Sequence, residues 1–180
     1  MVIDVHVHLM SQNLISDAYW DNWVELSSAL SGRSVERIRE RLPEQWDESG
    51  ELLIKDMDEA GIDKSVIAAL DFGLAKGVGE AKYSVRGLNR IYAEVAWKYP
   101  DRLIAFVGVD PRREEVSQLV EEGVKEWGMK GLKLIPPAGF YPNDEKCYPL
   151  YEKAVELGIP VLVHTGPEIP PFYSKYSYPI

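Results

Sequence analysis

Apolar and polar positions alternate almost without exception over residues 2–9, Val-Ile-Asp-Val-His-Val-His-Leu. That period of two predicts a strand with Asp4, His6 and His8 on one face and Val5 and Val7 on the other. Further short apolar runs follow at residues 64–70, 102–110, 129–135 and 160–165. Between them the spacing changes to that of amphipathic helices, at residues 50–60, 83–99, 114–127 and about 144–157. Gly61, Pro100 and Gly158 punctuate the helix ends, and Asp144 is placed to cap the fourth helix. Strands of four to eight residues alternating with helices predict βαβ units and a parallel sheet, hence an α/β fold.

Residues 10–49 break the rhythm. Their pattern is mostly helical and includes Tyr19, Trp20, Trp23 and Trp46. About 40 residues is far more than a typical βα loop of 2–6, so the segment is expected to form a cap inserted after the first strand. Most of its aromatics are expected to glue the cap down rather than line a pocket. Gly73, Gly77 and Gly79 predict a mobile loop after the second strand, without the Gly-Lys-Ser/Thr ending of a phosphate loop.

Composition narrows the class without naming a reaction. The 180 residues are 46% hydrophobic and 27% charged, an ordinary balance for one folded domain. A net charge of -9 argues against nucleic acid and anionic membrane as partners. Cys147 is alone, so no internal disulfide can form and a cytoplasmic setting is expected. No apolar run approaches the ~20 residues of a membrane helix.

The candidate chemistry lies in the histidines. His6 and His8, two residues apart on one strand face, can converge on one ion, and His164 at the end of the fifth apolar run is the third arm. In a flat sheet, five strands spaced about 4.8 Å apart would separate His6 from His164 by about 19 Å. Sharing an ion therefore predicts a sheet curled as in a barrel, whose active sites lie at the carboxyl ends of the strands. Three imidazoles favour zinc, with manganese or iron compatible.

Several stretches resemble the amidohydrolase superfamily. They are Ile3-Asp4-Val5-His6-Val7-His8, Met57-Asp58-Glu59-Ala60-Gly61-Ile62-Asp63 and Tyr99-Pro100-Asp101-Arg102. Gly131-Leu132-Lys133-Leu134 with Pro136, and residues 158–166 from Gly158 through His164 to Gly166, are similar to the amidohydrolase-related branch. That branch includes aminocarboxymuconate-semialdehyde decarboxylase, resorcylate decarboxylases and lactone hydrolases. The resemblance implies a (β/α)8 TIM-barrel type fold, of which residues 1–180 would form a single partial domain of about five βα units. It further implies His6, His8 and His164 as ligands of a divalent metal. A sixth-strand histidine and an eighth-strand aspartate of the family have no counterpart here, and Tyr178-Pro179-Ile180 is similar to the approach to a fifth helix, as if the chain stopped mid-fold.

Lys133 is expected either to act as an ammonium that binds a substrate carboxylate or pairs with an acidic neighbour, or, as in binuclear members of the superfamily, to bridge two metals; the first is preferred. Asp4 is expected to orient a ligand imidazole or to pair at the barrel floor. Asp71, Asp110 and Glu168 can reach the mouth, with helix capping the preferred reading of each. The expected activity is metal-dependent hydrolysis of a C–N or C–O bond in a small carboxylated substrate. Nonoxidative decarboxylation is the alternative. A non-catalytic, metal-binding half-barrel that assembles with a second copy is the third reading, and homo-oligomers are expected because open strand edges invite association.

Overall fold

The computed structural model describes residues 1–166, 168, 169, 171, 172 and 174–176. The expected helix approach at Tyr178, Pro179 and Ile180 lies outside the described residues. Five strands, β1 (Ile3–Val7), β2 (Lys64–Ala68), β3 (Leu103–Gly108), β4 (Leu132–Leu134) and β5 (Val161–Val163), lie side by side in chain order. Every neighbouring pair is parallel. Helices α1 (Asp17–Ser31) and α2 (Val35–Arg41) occupy the insertion. The crossovers run through α3 (Glu51–Ala60), α4 (Val85–Lys98), α5 (Val116–Lys125) and α6 (Tyr148–Leu157). The sheet curls into half of a (β/α) barrel, so the first and last strands approach each other across its concave side.

Two packed layers hold the curl. On the convex side, Ile67, Leu103, Ala105, Val107, Leu132 and Leu134 meet Leu88, Tyr92, Leu119, Val120 and Leu150 in the main core. On the concave side, Val66, Ala68 and Phe106 form a smaller cluster with Ile104 and Leu162. This apolar floor requires Gly131, where a Cβ would meet the Phe106 ring at 2.4 Å.

The strands are shorter than the apolar runs that announced them, because residues at one or both ends of each run already belong to the connections; the run over 129–135 keeps only Leu132–Leu134. The insertion is fastened by its aromatics. Tyr19 stacks on Phe72 with ring centroids 5.4 Å apart and meets Phe172 edge-on at 6.1 Å, while Trp20 Nε1 donates to the Ser11 carbonyl at 3.1 Å. Asp144 does not cap α6. Its carboxylate accepts from the Tyr141 N–H at 2.8 Å, and a short helical turn, Glu145–Cys147, precedes the helix.

Helix α4 does more than cover the sheet. It starts at Ser84, whose side chain accepts from the Gly87 N–H, and it carries two buried polar residues on its sheet-facing side. Asn89 accepts from the Gly108 N–H at 2.8 Å and donates to the Gly108 carbonyl at 2.9 Å. The Tyr92 hydroxyl accepts from the Leu9 N–H and donates to the Leu9 carbonyl, both at 3.0 Å. Each side chain thereby satisfies both backbone groups of a residue at the carboxyl end of a strand, where the ladder has run out.

Replacing Tyr92 by Phe keeps the ring and removes both bonds, stranding two buried backbone groups at a cost of about 1–3 kcal/mol each before relaxation. We expect Tyr92→Phe to lower unfolding stability by about 2–3 kcal/mol in urea titrations. A loss below about 0.5 kcal/mol would show that the grip on Leu9 is dispensable.

Candidate functional site

His6 lies one residue before the end of β1, His8 one residue beyond it, and His164 one residue beyond β5. Lys133 is the middle residue of β4. All four side chains meet at the carboxyl-end mouth of the curled sheet. The His6 and His8 ring centroids are 4.9 Å apart and those of His6 and His164 6.4 Å apart, far inside the ~19 Å of a flat sheet. Lys133 is only 1% exposed, and its Nζ donates to His6 Nε2 at 2.8 Å.

Each imidazole is prepared differently. His8 Nδ1 lies 2.7 Å from the Ala68 carbonyl, so Nδ1 carries the proton and Nε2 keeps its lone pair. His6 Nε2 receives the Lys133 ammonium. His164 Nε2 is buried with no hydrogen-bond partner among the described residues. Three nitrogen lone pairs beside a buried cation are a donor set suited to a borderline divalent ion. Among the described residues, however, no three His, Cys, Asp or Glu side chains are already spaced around one ion. Lys133 must leave His6 Nε2 before that imidazole can share one.

The electrostatics favour neutral imidazoles. Burial and the Lys133 charge lower the pKa of His6 and of His164. Burial pushes His8 down to about 3, against the opposing hydrogen bond to Ala68. Burial also brings Lys133 down to about 8, the charge of Glu168 working the other way.

Asp4 departs from its expected role. Four residues of β1, from Asp4 to Val7, span three of β2, from Ser65 to Ile67, an irregularity that interrupts the strict alternation of faces. The Asp4 carboxylate accepts from the backbone N–H of His6 at 3.0 Å rather than from an imidazole, and so fastens the irregularity itself. Asp71 and Asp110 do not cap helices. Arg113 grips Asp71 at 2.6 and 2.7 Å and Glu80 at 2.8 and 2.9 Å, and the Asp110 N–H donates to Asp71 at 2.8 Å. Arg112 pairs with Asp110 at 2.5 and 2.8 Å and reaches the Ala138 carbonyl at 3.0 Å. The glycine-rich loop expected to be mobile is thus cross-braced to the loops after β3 and β4. Glu168 does reach the mouth, with Oε1 3.7 Å from His164 Nε2. Sequence reasoning missed the Ala68 carbonyl, which no residue type announces, and Arg112-Arg113, whose position directly after Asp110-Pro111 was the available signal.

Residues 3–179 match the family model described as Amidohydrolase. A curated relative, the 2-keto-4-carboxy-3-hexenedioate hydratase of a Sphingobium species, is 29% identical over 193 residues, covering 92% of this chain and 52% of that protein. The crystal structure of 5-carboxyvanillate decarboxylase from Novosphingobium aromaticivorans, complexed with manganese and 4-hydroxy-3-methoxy-5-nitrobenzoic acid, is similar at 26% identity with a TM-score of 0.67. That match covers 92% of this chain and 50% of the decarboxylase. A TIM-barrel protein of Bordetella bronchiseptica, 21% identical with a TM-score of 0.64 over 97% of this chain and 58% of its own, shares the fold. The chain spans about half the length of the curated relative it matches. Among the described residues no helix is long and apolar enough to cross a membrane.

The histidine shifts carry a pH dependence. His8 has a pKa of about 3 in the folded chain against an ordinary 6.5. Between these values the unfolded chain binds a proton that the folded chain does not, so stability falls as pH drops, by up to about 1.4 kcal/mol per pH unit. We expect the native chain to lose on the order of 2 kcal/mol more than His8→Gln between about pH 6 and pH 4.5 in denaturant titrations. Equal losses would mean that His8 titrates normally.

Proposed function

Because the chain belongs to the amidohydrolase family over residues 3–179, we propose that it forms the metal-binding half of a lyase acting on a small carboxylated substrate. The observation that carries this reading is the meeting of His6, His8, His164 and Lys133 at one strand-end mouth. Lyase chemistry is favoured over the hydrolysis expected from the sequence because the hydratase and the decarboxylase, at 29% and 26% identity, both act on carboxylated molecules without hydrolysing them.

His6, His8 and His164 would hold the divalent ion through their Nε2 atoms. Zinc suits the three imidazoles, and manganese is the ion in the decarboxylase complex. Such an ion supplies Lewis-acid polarisation of a carboxylate or carbonyl oxygen. The chain's own residues do the rest. The Ala68 carbonyl fixes the tautomer of His8. Lys133, freed from His6, offers a buried ammonium to a substrate carboxylate, where low local polarity strengthens the pairing. Val66, Phe106 and Leu162 beneath it form an apolar floor on which a planar unsaturated or aromatic body can rest.

A second reading has its own observation. Ile3 and Val5 on the edge strand β1, and Val2 just before it, are 44%, 59% and 57% exposed, an apolar strip along an edge that pairs with no other strand among the described residues. A second copy of the chain covering it would make an assembled half-barrel, and sedimentation velocity should then show a dimer. A monomer at micromolar concentration counts against this.

For the enzyme reading we expect about one equivalent of zinc or manganese per chain by elemental mass spectrometry. His6→Ala and His164→Ala should lose it. The metal-loaded chain should release CO2 from 5-carboxyvanillate or hydrate 2-keto-4-carboxy-3-hexenedioate, and Lys133→Met should lower kcat/KM at least about 100-fold. Turnover that survives complete removal of metal would overturn the reading.

A further inference from the structure

His164 and Glu168 face each other in an unusual way. Nε2 and Oε1 are 3.7 Å apart, too far for a hydrogen bond, and both side chains are largely buried, at 17% and 18% exposure. Among the described residues His164 Nε2 has no hydrogen-bond partner, while elsewhere its ring meets the Gly166 backbone. The other carboxylate oxygen of Glu168, Oε2, accepts from the Ile169 N–H at 3.2 Å. Oε1 is therefore the oxygen turned toward the imidazole. An ion pair with a protonated His164 would place the Nε2 proton on this oxygen, yet the two atoms stand well outside bonding distance.

Two lone-pair donors that confront each other across a buried gap are arranged as two ligands of one cation. On a tetrahedral ion with nitrogen and oxygen ligands at about 2.0–2.2 Å, neighbouring donor atoms lie about 3.3–3.5 Å apart. The observed separation is close to that. We propose that Glu168 is a carboxylate ligand of the divalent ion, joining His6, His8 and His164 as the fourth protein donor. This rests on the histidine reading above and deepens it.

Charge supports the assignment. Three neutral imidazoles would leave the full +2 of a divalent ion in a half-buried mouth, and one carboxylate halves it. In the arrangement described here the positive charge of the mouth is the Lys133 ammonium, which touches His6 and lies within electrostatic reach of Glu168. An ion taking over that position inherits the same carboxylate, and Lys133 is released toward substrate. A mixed nitrogen and carboxylate set also admits manganese as readily as zinc.

The test uses the 180-residue chain titrated with cobalt(II), following the visible ligand-field bands, with zinc affinity measured by competition. Wild type should bind about one equivalent. Glu168→Gln and Glu168→Ala should weaken both metals at least about tenfold and shift the cobalt bands, while circular dichroism without metal stays unchanged. Should Glu168→Ala not fold, the near-isosteric Glu168→Gln decides. Affinity and spectrum unchanged in a folded Glu168 variant overturn the proposal and leave the histidine site standing. A folded wild type that binds neither metal overturns the histidine site itself, and Glu168 with it.

Discussion

The mouth of this half-barrel depends on the hold of the Tyr92 hydroxyl on Leu9. Among the described residues β1 has a neighbour on one side only, its outer face is exposed at Val5, and its ladder with β2 is irregular between Asp4 and Val7. Asp4 fastens the irregularity at His6, but the β2 ladder ends at Val7 and leaves the residues beyond it to other contacts. Tyr92 supplies the missing constraint one residue after His8, by satisfying both backbone groups of Leu9 inside the core. The Ala68 carbonyl then fixes the His8 ring itself. Position and tautomer of one histidine are thus set by two elements, α4 and β2, that carry no site histidine. On β3, Asn89 performs the same service at Gly108, so a single helix regulates two strand ends.

With the histidines held, Lys133 becomes intelligible. A buried ammonium is costly unless its charge meets acceptors. Here one acceptor is the His6 nitrogen, and the Glu168 carboxylate stabilises the charge from a distance. Each imidazole in turn is kept neutral by burial and by that ammonium. The mouth is a balance in which a cation stands among lone pairs. Exchanging a monovalent ammonium for a divalent ion fits the same balance, provided a carboxylate is at hand.

Much of the fold was legible because its signals are local. The period of two over residues 2–9, the apolar runs and the helix punctuation at Gly61 and Gly158 report on short-range sterics and burial, and strand order followed from βαβ logic. Belonging to the amidohydrolase family was legible in motif residues for the same reason. What escaped were contacts between distant segments. Period alone placed Asp4 beside the histidines, but a one-residue irregularity in β1 turned its carboxylate to the His6 backbone. Asp71 and Asp110 read as caps, the commonest use of such residues after a strand, until the fold brought Arg113 and Arg112 over them.

Those arginine braces explain how a half-closed barrel can keep a defined mouth. Loops at strand ends are ordinarily the least constrained part of such a fold. Here Arg113 ties the loop after β2 to its own residue Glu80 and to the loop after β3, and Arg112 ties that loop to the Ala138 carbonyl beyond β4. These pairs couple the three middle loops to one another. The segment after β1 is tied to the loop after β2 in its turn, the Ser16 hydroxyl donating to the Val78 carbonyl at 2.7 Å and Lys82 Nζ to Asn13 Oδ1 at 3.1 Å, and Tyr92 holds Leu9 from the helix side. The bracing therefore runs from the segment after β1 through the loops after β2, β3 and β4. An ion that His6 and His164 shared would join the first and fifth strands directly, adding to the link that Lys133 of β4 already makes to His6.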